Sequence, residues 1–419
     1  MLDHMRAQRV VVTGTGNISS LGSDWSTVRQ RLLQQKNAVR VMHEWDLYPD
    51  LKTRLASPVD DFELPSNFRA KQKRGMGRVA QMAVTATQIA LEDAGLLGDE
   101  VIKNGQTGVS YGSATGSSAA ALEFFGLLED QSMSRINTTT YIRMMSHTAA
   151  VNLSVVFGTQ GRMYTTSSAC TAGSQGIGFA YEAIRAGQQT IMIAGGAEEL
   201  CPTQAAVFDT ILAASLANET PQQSPRPFDT NRDGLVLGEG ATTLILESLE
   251  HAQARGATIL AEIIGFGTNT DGGHMVRPRQ ASMQKVMQLS LNDANVSAAD
   301  IGYVSAHGTA TEHGDIAESN ATYQVLGHKP ISSLKSYTGH TLGACGAFEL
   351  WSSIQMMQEG WFAPTVNLNN IDPRCADLDY ICDQPKQINT DLIMSNNFAF
   401  GGINTSLIVR NARCASLDE

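Results

Sequence analysis

The sequence predicts an α/β protein built from two similar halves, and three observations lead to this prediction. Short runs rich in β-branched residues alternate with segments of helical periodicity, which is typical of βαβ units around parallel sheets. An internal repeat recurs in the same order in the two parts of the chain. The length of 419 residues is large for one layered core, so it fits two domains or one large domain with duplicated halves.

The predicted strands are short runs between turn residues, and the predicted helices are longer segments with an apolar stripe. The strands cover residues 9–13, 107–111, 163–168, 190–195, 242–247, 259–264, 303–307, 331–333, 378–381, 392–396 and 405–409. The long helices cover residues 74–94, 171–186 and 282–294.

The repeat consists of three elements in a constant order. Residues 91–95 (LEDAG) and 291–295 (LNDAN) each end a predicted helix, and a short linker and a strand follow both. Upstream, residues 12–16 (VTGTG) match residues 264–267 (IGFG). One short match arises easily by chance, whereas three in the same order predict a duplicated α/β unit.

We place the boundary between the halves near Arg255 and Gly256. Residues 1–255 then form a first half with two long insertions, at 137–158 and 201–238, and residues 256–419 form the second half.

Composition excludes several classes of function. The net charge of −11 argues against nucleic acid as a general partner, although an acidic protein partner remains compatible with a local basic patch. No apolar run reaches the roughly 18 residues that a membrane span requires. The first six residues lack the apolar stretch of a signal peptide, so we expect a cytoplasmic protein.

The cysteines and histidines form no metal-binding or disulfide pattern. The six cysteines include no CxxC pair, and the nine histidines include no HExxH motif, so we expect free thiols and no metal site. The next question is which of these six thiols is reactive.

Cys170 lies in a predicted strand–turn–helix junction, TTSSACTAG at residues 165–173. At a helix N-terminus, free N–H groups and the helix dipole favour a thiolate by up to about 2 kcal/mol, which would bring the thiol pKa close to neutrality. The small residues that follow leave room for a substrate. A free cysteine is more often a buried structural residue, and the junction favours the reactive alternative.

Two histidines lie in further candidate segments. His307 follows a predicted strand, where open α/β sheets place ligand sites, whereas the nearby His313 has polar neighbours and reads as a solvated residue. His340 is predicted to open a helix, which would lower its pKa and keep a neutral ring able to donate to an oxyanion. Taken singly, each histidine is as compatible with a structural role. The turn at residues 396–404 either supplies backbone N–H groups to the site or is only a glycine-rich turn.

Together these segments resemble the β-ketoacyl-[acyl carrier protein] synthases of the thiolase superfamily, in the elongating branch with a Cys-His-His triad. The motifs that carry the resemblance are Ala169-Cys170, His307-Gly308-Thr309, Lys335 with Gly339-His340, and Phe400-Gly401-Gly402. The resemblance runs from Val10 to Val409 and is therefore nearly complete.

The resemblance implies a thiolase-like, five-layered αβαβα duplication, and an enzyme that needs no cofactor. Cys170 would accept an acyl chain from acyl carrier protein, with the N–H groups of Cys170 and Phe400 as the oxyanion hole. A malonyl thioester would then lose carbon dioxide, with His307 and His340 stabilising the enolate that attacks the acyl group. Homodimers are usual in the family, and a heterodimer with a related synthase is the alternative.

Further residues receive roles only through this resemblance. Lys335 and Glu349 would organise the site, Lys335 also holding positive charge near the departing carboxylate. The remaining implied substrate-binding residues are Thr309 and Thr311, for the phosphopantetheine arm, and Phe398; Phe400 would be the gate.

Two features differ from the usual family pattern. Ala399 stands where glycine is usual in the gating turn, and Tyr337 replaces a Met or Phe. The expected acyl pocket is rich in hydroxyl groups, which favours an accessory synthase of an aryl-polyene or polyketide-like pathway over the housekeeping fatty-acid enzyme; these residues are Thr115, Ser117, Ser118, Thr138, Thr139 and Thr140.

Two other classes compete with this interpretation. A non-catalytic partner resembling chain-length factors would lack the active cysteine, yet Cys170 is present. A Cys/His hydrolase or acyltransferase would not need Lys335 or a second histidine.

A basic run predicts where the carrier protein docks. Five positive residues occur within ten positions of a chain of net charge −11: Arg69, Lys71, Lys73, Arg74 and Arg78. A solvated helix start is the alternative explanation of such a run. Carrier proteins of this family are acidic, so a local basic patch is needed for the two proteins to meet.

Overall fold

The computed structural model describes residues 7–414, so the first six residues, on which the expectation of a missing signal peptide rests, lie outside the described part. The strands, numbered along the chain, are β1 (Val10–Ser19), β2 (Arg40–Val41), β3 (Leu55–Ser57), β4 (Thr107–Gly112), β5 (Met163–Thr166), β6 (Ile191–Glu198), β7 (Leu237–Gly238), β8 (Gly240–Ser248), β9 (Ala261–Thr270), β10 (Tyr303–Ser305), β11 (Pro330–Ser332), β12 (Trp361–Phe362), β13 (Asp379–Tyr380), β14 (Lys386–Gln387), β15 (Leu392–Phe398) and β16 (Ile403–Asn411).

The α-helices, numbered in the same way, are α1 (Trp25–Leu33), α2 (Ala70–Arg74), α3 (Arg78–Asp93), α4 (Ser118–Asp130), α5 (Thr140–Met144), α6 (Thr148–Phe157), α7 (Ala172–Arg185), α8 (Pro202–Thr210), α9 (Leu249–Ala254), α10 (Gln280–Ala294), α11 (Glu312–Leu326), α12 (Lys335–Thr338) and α13 (Cys345–Glu359). Within residues 7–414, none of these helices has the length and hydrophobicity needed to cross a bilayer.

The two halves have the same strand order. In the first half the order is β5-β4-β6-β8-β1, and in the second it is β11-β10-β15-β16-β9, with β13 added at the edge. Counted along the chain within each half, both orders read 3-2-4-5-1. The two sheets join where the first three residues of β1 pair with β9. The duplicated α/β fold is therefore confirmed.

Helices complete a five-layered arrangement. α3 packs on the outer face of the first sheet, α10 packs on the outer face of the second, and α11 lies beside α10, with Ala321 in the same buried cluster as Val304 of β10. α7 and α13 contact each other and both sheets, so they form the middle layer. The residues of this middle layer belong to the largest apolar cluster, which holds Ile177, Leu350 and Ile354, all fully buried.

The predicted sequence repeat has a physical basis in close strand–helix packing. A Cβ on Gly16 would lie 2.0 Å from the Ala86 carbonyl oxygen, and one on Gly267 would lie 2.4 Å from that of Val286, so both positions require glycine. The matching aspartates also act alike: Asp93 accepts from the Thr15 N–H at 2.8 Å, and Asp293 accepts from the Phe266 N–H at 3.0 Å.

The first predicted helix, residues 74–94, is wrong in one respect, because its start lies four residues too early. α2 ends at Arg74 and α3 begins at Arg78. A Cβ on Gly77 would lie 2.4 Å from the Ser117 Cβ, so the chain turns at a close contact that only glycine allows. The other long helices begin and end within two residues of their predicted bounds. We retain the boundary near Arg255, just after α9, as a proposal.

Candidate active site

Cys170 lies in a short 3-10 turn, Ala169–Thr171, between β5 and α7. The turn is tight: Ala169 has a φ of 50°, in the left-handed region that costs a non-glycine residue energy. The Cys170 side chain is 4% exposed and lies close to the start of α7, as the sequence predicted. The structure thus presents one thiol at the end of a strand in a strained, fixed position.

Burial raises the pKa of the Cys170 thiol to about 11. Lys335 and the backbone N–H groups of Phe400 and Cys170 act in the opposite direction, and the nearby Glu198 raises the pKa further. The expectation that the helix dipole brings this thiol close to neutrality is therefore wrong, because desolvation of a thiolate by burial outweighs the dipole. The two N–H groups that favour negative charge on the sulfur are those expected to form the oxyanion hole.

His340 lies beside the thiol, with its Nε2 atom 3.0 Å from the Cys170 Sγ. It does not open a helix as predicted: it stands between α12 and a 3-10 turn, and its N–H donates to the Val236 carbonyl at 2.6 Å. Burial, followed by the charge of Lys335, lowers its pKa well below 6.5. The neutral ring was predicted correctly, but its cause is burial and not a helix dipole.

His307 is fixed from both its backbone and its ring. Its N–H and that of Gly308 donate to the Glu318 carboxylate, each at 2.7 Å. Its Nδ1 lies 3.1 Å from the Lys335 Nζ. Because an ammonium can only donate, Nδ1 must accept, and the ring proton is on Nε2. Burial first, then Lys335 and His340, lower the His307 pKa well below its ordinary value.

The two imidazole rings face each other at right angles, with 5.2 Å between centroids and 88° between planes. Two neutral rings therefore meet at one thiol. Two hydrogen-bond donors can in this way converge on a single oxygen atom of a bound thioester.

Lys335 and Glu349 form a buried ion pair behind the histidines. Glu349 also accepts from the Asn397 Nδ2 at 2.7 Å. Both charged side chains are almost fully inaccessible, and neither lines the cavity described below. Glu349, which the resemblance placed among the substrate-binding residues, is thus paired with Lys335 and does not reach the cavity.

The cavity that reaches Cys170 has a volume of about 550 Å³. His307, His340, Phe398 and Phe400 line its inner end with Cys170. Further out, its walls are lined by both polar and apolar side chains, most of them from loops; they include Thr309, Thr311, Phe208, Leu212, Arg232, Met275 and Arg277. Thr309 and Thr311 hydroxyl groups lie 3.0 Å apart, on the loop before α11, where the resemblance places them.

The turn after β15 forms one side of this cavity. The Phe400 ring lies 5.3 Å from that of Phe208, and Phe398 lies edge-on to His307 at 6.1 Å. Positive φ occurs at Gly401 and Gly402, at 85° and 73°, and not at Ala399. Alanine is therefore accommodated at this position without strain.

The predicted docking residues divide into two groups. Arg69, Lys71, Lys73 and Arg74 are exposed around α2. Arg78 instead is half-buried and pairs with the buried Glu239 at 2.7 Å, so its charge already has a partner. None of the five lines the cavity among the described residues.

The hydroxyl-rich segments lie apart from this cavity as well. Thr115 donates to Glu198 at 2.9 Å, and Thr140 donates to Glu123 at 3.1 Å. Their hydroxyl groups are thus used inside the protein.

Sequence reasoning missed three residues that support the site. Glu318 holds the His307 loop, Asn397 holds Glu349, and Cys345 donates from its thiol to the Cys170 carbonyl at 3.3 Å. Glu318 has a spacing signal, since it lies about two turns into α11, the helix that follows the His307 loop. Asn397 and Cys345 come from other elements, and no local pattern indicates them.

Three of the same side chains also lie close enough together to hold a metal ion. Cys170, His307 and His340 each place one ligand atom within 4.8 Å of the others. The Lys335 ammonium lies 3.1 Å from the His307 ring, so a positive charge already stands beside these atoms and opposes a cation there.

Comparisons with known proteins agree with this geometry. Residues 7–252 match the family described as "Beta-ketoacyl synthase, N-terminal domain", and residues 260–369 match "Beta-ketoacyl synthase, C-terminal domain". The chain is 34% identical over 407 residues to 3-oxoacyl-[acyl-carrier-protein] synthase 1 of Haemophilus influenzae, which covers 96% of this chain and 99% of that protein.

Two solved structures are similar along nearly their whole length. A crystal structure of a beta-ketoacyl synthase from Burkholderia phymatum has 54% identity and a TM-score of 0.96, covering 97% of this chain and 100% of that one. The complex AntDE:AntF, a type II PKS acyl-carrier protein with its ketosynthase bound to the hexaketide, has 30% identity and a TM-score of 0.87, covering 97% and 100%.

Proposed function

Because the chain belongs to the β-ketoacyl synthase family, we propose that it lengthens an acyl group held on Cys170 by decarboxylative condensation with a malonyl thioester on acyl carrier protein. The observation that carries the proposal is the convergence of His340 and His307 on the Cys170 thiol at the inner end of the cavity. A thiol nucleophile and two neutral N–H donors are the groups that this reaction requires.

In the first half-reaction, Cys170 attacks the thioester carbonyl of an acyl carrier protein. The carbon–sulfur bond to the carrier breaks, a new one forms to Sγ, and the thiol proton leaves with the carrier thiol. Negative charge on the tetrahedral oxygen is stabilised by the N–H groups of Cys170 and Phe400, which point towards the sulfur.

In the second half-reaction, a malonyl thioester occupies the same cavity. Its carboxylate leaves as carbon dioxide, and the electron pair moves into an enolate. The Nε2–H of His307, fixed by Lys335, donates to the enolate oxygen, and His340 is the second donor. The enolate carbon attacks the acyl carbonyl, the bond to Sγ breaks, and the released thiolate takes a proton from solvent to regenerate the thiol.

Two alternatives receive less support. A chain-length-factor-like partner needs no nucleophile, and the cysteine at position 170, 3.0 Å from the His340 Nε2 atom, favours an active synthase over such a partner. A hydrolase needs no second histidine held by a buried lysine, which is what His307 and Lys335 provide. The acyl chain could come from a fatty-acid, aryl-polyene or other polyketide-like pathway, and the mass-spectrometry experiment described below identifies it.

We also propose a homodimer. β5 lies at the end of the sheet order, and its Met163 is 40% exposed. The adjoining helices also expose apolar side chains, with Leu128 at 78% and Val155 at 66%. Unpaired edge strands with apolar surroundings favour pairing with a second copy. Sedimentation should give twice the chain mass of 44.9 kDa.

A cytoplasmic location is proposed on two grounds. The cysteines whose side chains are described are free thiols, which suits a reducing compartment. The second ground is that the proposed substrates are thioesters carried by acyl carrier protein.

Mass spectrometry of the intact chain tests the proposed function. After incubation with a panel of acyl carrier proteins, we expect one acyl group, retained on the peptide that contains Cys170. Addition of malonyl carrier protein should discharge it and yield a carrier-bound β-ketoacyl product two carbons longer. Release of free acid in place of this product would favour the hydrolase.

A further inference from the structure

An arginine whose guanidinium has no partner among residues 7–414 lies at the mouth of the catalytic cavity. Arg277 lies between β9 and α10, is exposed, and lines the cavity. Within residues 7–414 its guanidinium makes no hydrogen bond or ion pair; only its backbone N–H is bonded, to the His274 Nδ1 at 3.2 Å.

The other acidic side chains and the other arginine that line this cavity already have partners. These are Asp372 for Arg232 at 2.7 Å, the Leu216 N–H for Asp233 at 2.8 Å, the Gly273 N–H for Asp271 at 3.0 Å, the His307 N–H for Glu318 at 2.7 Å, and Arg374 for Glu312. Arg277 is thus the guanidinium that this part of the described chain leaves available for a ligand.

The segment that carries Arg277 is held over the opening. The Met275 carbonyl accepts from the Gly401 N–H at 2.8 Å, which ties the segment to the turn that carries Phe400. Pro278 follows and restricts the backbone. The backbone that carries Arg277 is therefore held in place at the opening of the cavity.

We propose that Arg277 binds the phosphodiester of the phosphopantetheine arm that carries the substrate. This inference rests on the proposed function. An arm that delivers a thioester to Cys170 enters sulfur end first, so its phosphate is the last group to reach the protein. Exposure increases in the same direction, from buried Cys170 through half-buried Thr309 to exposed Arg277. A guanidinium fork matches the geometry of phosphate oxygens and keeps its charge at every relevant pH.

The test compares the malonyl thioesters of three thiols: acyl carrier protein, phosphopantetheine and pantetheine. In Arg277→Gln, we expect kcat/KM for the phosphopantetheine thioester to fall about tenfold relative to that for the pantetheine thioester, because a charge-assisted bond is lost. The carrier-bound substrate should show a similar loss.

Arg279→Gln is the matched control. Arg279 is the same residue type two positions further on, is also exposed, and lies against Gly273 outside the described cavity lining. It should keep the wild-type ratio of the two small substrates.

A second readout does not depend on turnover. Phosphopantetheine should protect Cys170 from alkylation at lower concentration than pantetheine does in the wild type, and this preference should disappear in Arg277→Gln. If the wild type condenses nothing, the proposed function fails while this readout still tests the anchor.

Three results would overturn the anchor. One is an unchanged ratio and unchanged protection in Arg277→Gln. Another is an equal loss with pantetheine, which would mean damage to the Phe400 turn. The third is a loss confined to carrier-bound substrate, which would mean that Arg277 contacts the carrier protein surface.

Discussion

The Nε2 atom of His340 lies 3.0 Å from the Sγ of Cys170, while the Nδ1 atom of the same ring is buried without a partner among the described residues. Only one ring nitrogen therefore faces the reacting sulfur, and His340 acts on substrate through that atom alone. The role of His340 can therefore be tested separately from that of Cys170 by mutating each residue alone.

Cys170→Ala should abolish condensation and leave the fold intact, because the thiol is the nucleophile and alanine fills the same turn. Cys170→Gln should keep or increase malonyl decarboxylation, because the amide mimics an acylated thiol in the oxyanion hole. Release of carbon dioxide and formation of product are measured in parallel. Condensation that persists in Cys170→Ala would sink the mechanism.

His307→Ala and His340→Ala should each stop malonyl decarboxylation, with a loss of about 100-fold or more, because a donor to the enolate is removed. Both should still accept an acyl group on Cys170. Burial disfavours the thiolate, and the groups that oppose burial, Lys335 and the N–H groups of Phe400 and Cys170, remain in both variants. Mass spectrometry of the acylated chain decides. A variant that cannot be acylated would place that histidine in the first half-reaction.

Alkylation of Cys170 by iodoacetamide should accelerate about tenfold per pH unit between pH 6 and 9, since only the thiolate reacts. The sign follows from the pKa of about 11, which burial raises above the ordinary value, so the thiolate fraction is still rising across this range. The modified peptide is quantified by mass spectrometry, with Cys170→Ala as the blank. A plateau below pH 9 would contradict the assignment.

Lys335→Ala should lower the free energy of unfolding by about 3–5 kcal/mol, because it leaves Glu349 buried without its ion-pair partner. The double variant Lys335→Met/Glu349→Leu should lose less than the sum of the single variants. Urea unfolding at equal protein concentration gives these values. As a control, Asp60→Ala removes the exposed partner of Arg40 and should cost at most about 1 kcal/mol. Equal costs for the two pairs would refute this account.

Charge reversal at Lys73 and Arg74 should raise the apparent KM for carrier-bound substrate relative to that for a pantetheine thioester. The parent should show a steep salt dependence that the variant loses, since steering by exposed charges is screened beyond about 8–10 Å at physiological salt. The control reverses the exposed Lys36 and Lys103, which lie outside this run. Equal losses on both substrates would remove the case for α2 as the docking site.

The sequence contained the signals for the fold and the reacting groups, but not for the groups that support them. Cys170 and His307 stand in loops at the ends of strands, and the repeated glycines and aspartates record a packing contact made twice. The surroundings of His340 were mispredicted, because its neighbour Val236 lies about a hundred residues away in the chain. Asn397 and Cys345 were missed for the same reason: local periodicity carries no information on contacts between distant elements.

The pairing of β1 with β9 has a consequence for chimeras that combine the halves of two related proteins. The thiol comes from the first half and both histidines from the second, and the ladder between residues Val10–Val12 and Ala261–Ile263 fixes one half against the other. A chimera that takes its halves from two parents therefore inherits its nucleophile from one and its proton donors from the other. Whether such a recombinant works depends less on the motifs, which both parents share, than on how well α7 packs against α13 and on the register of the ladder between β1 and β9.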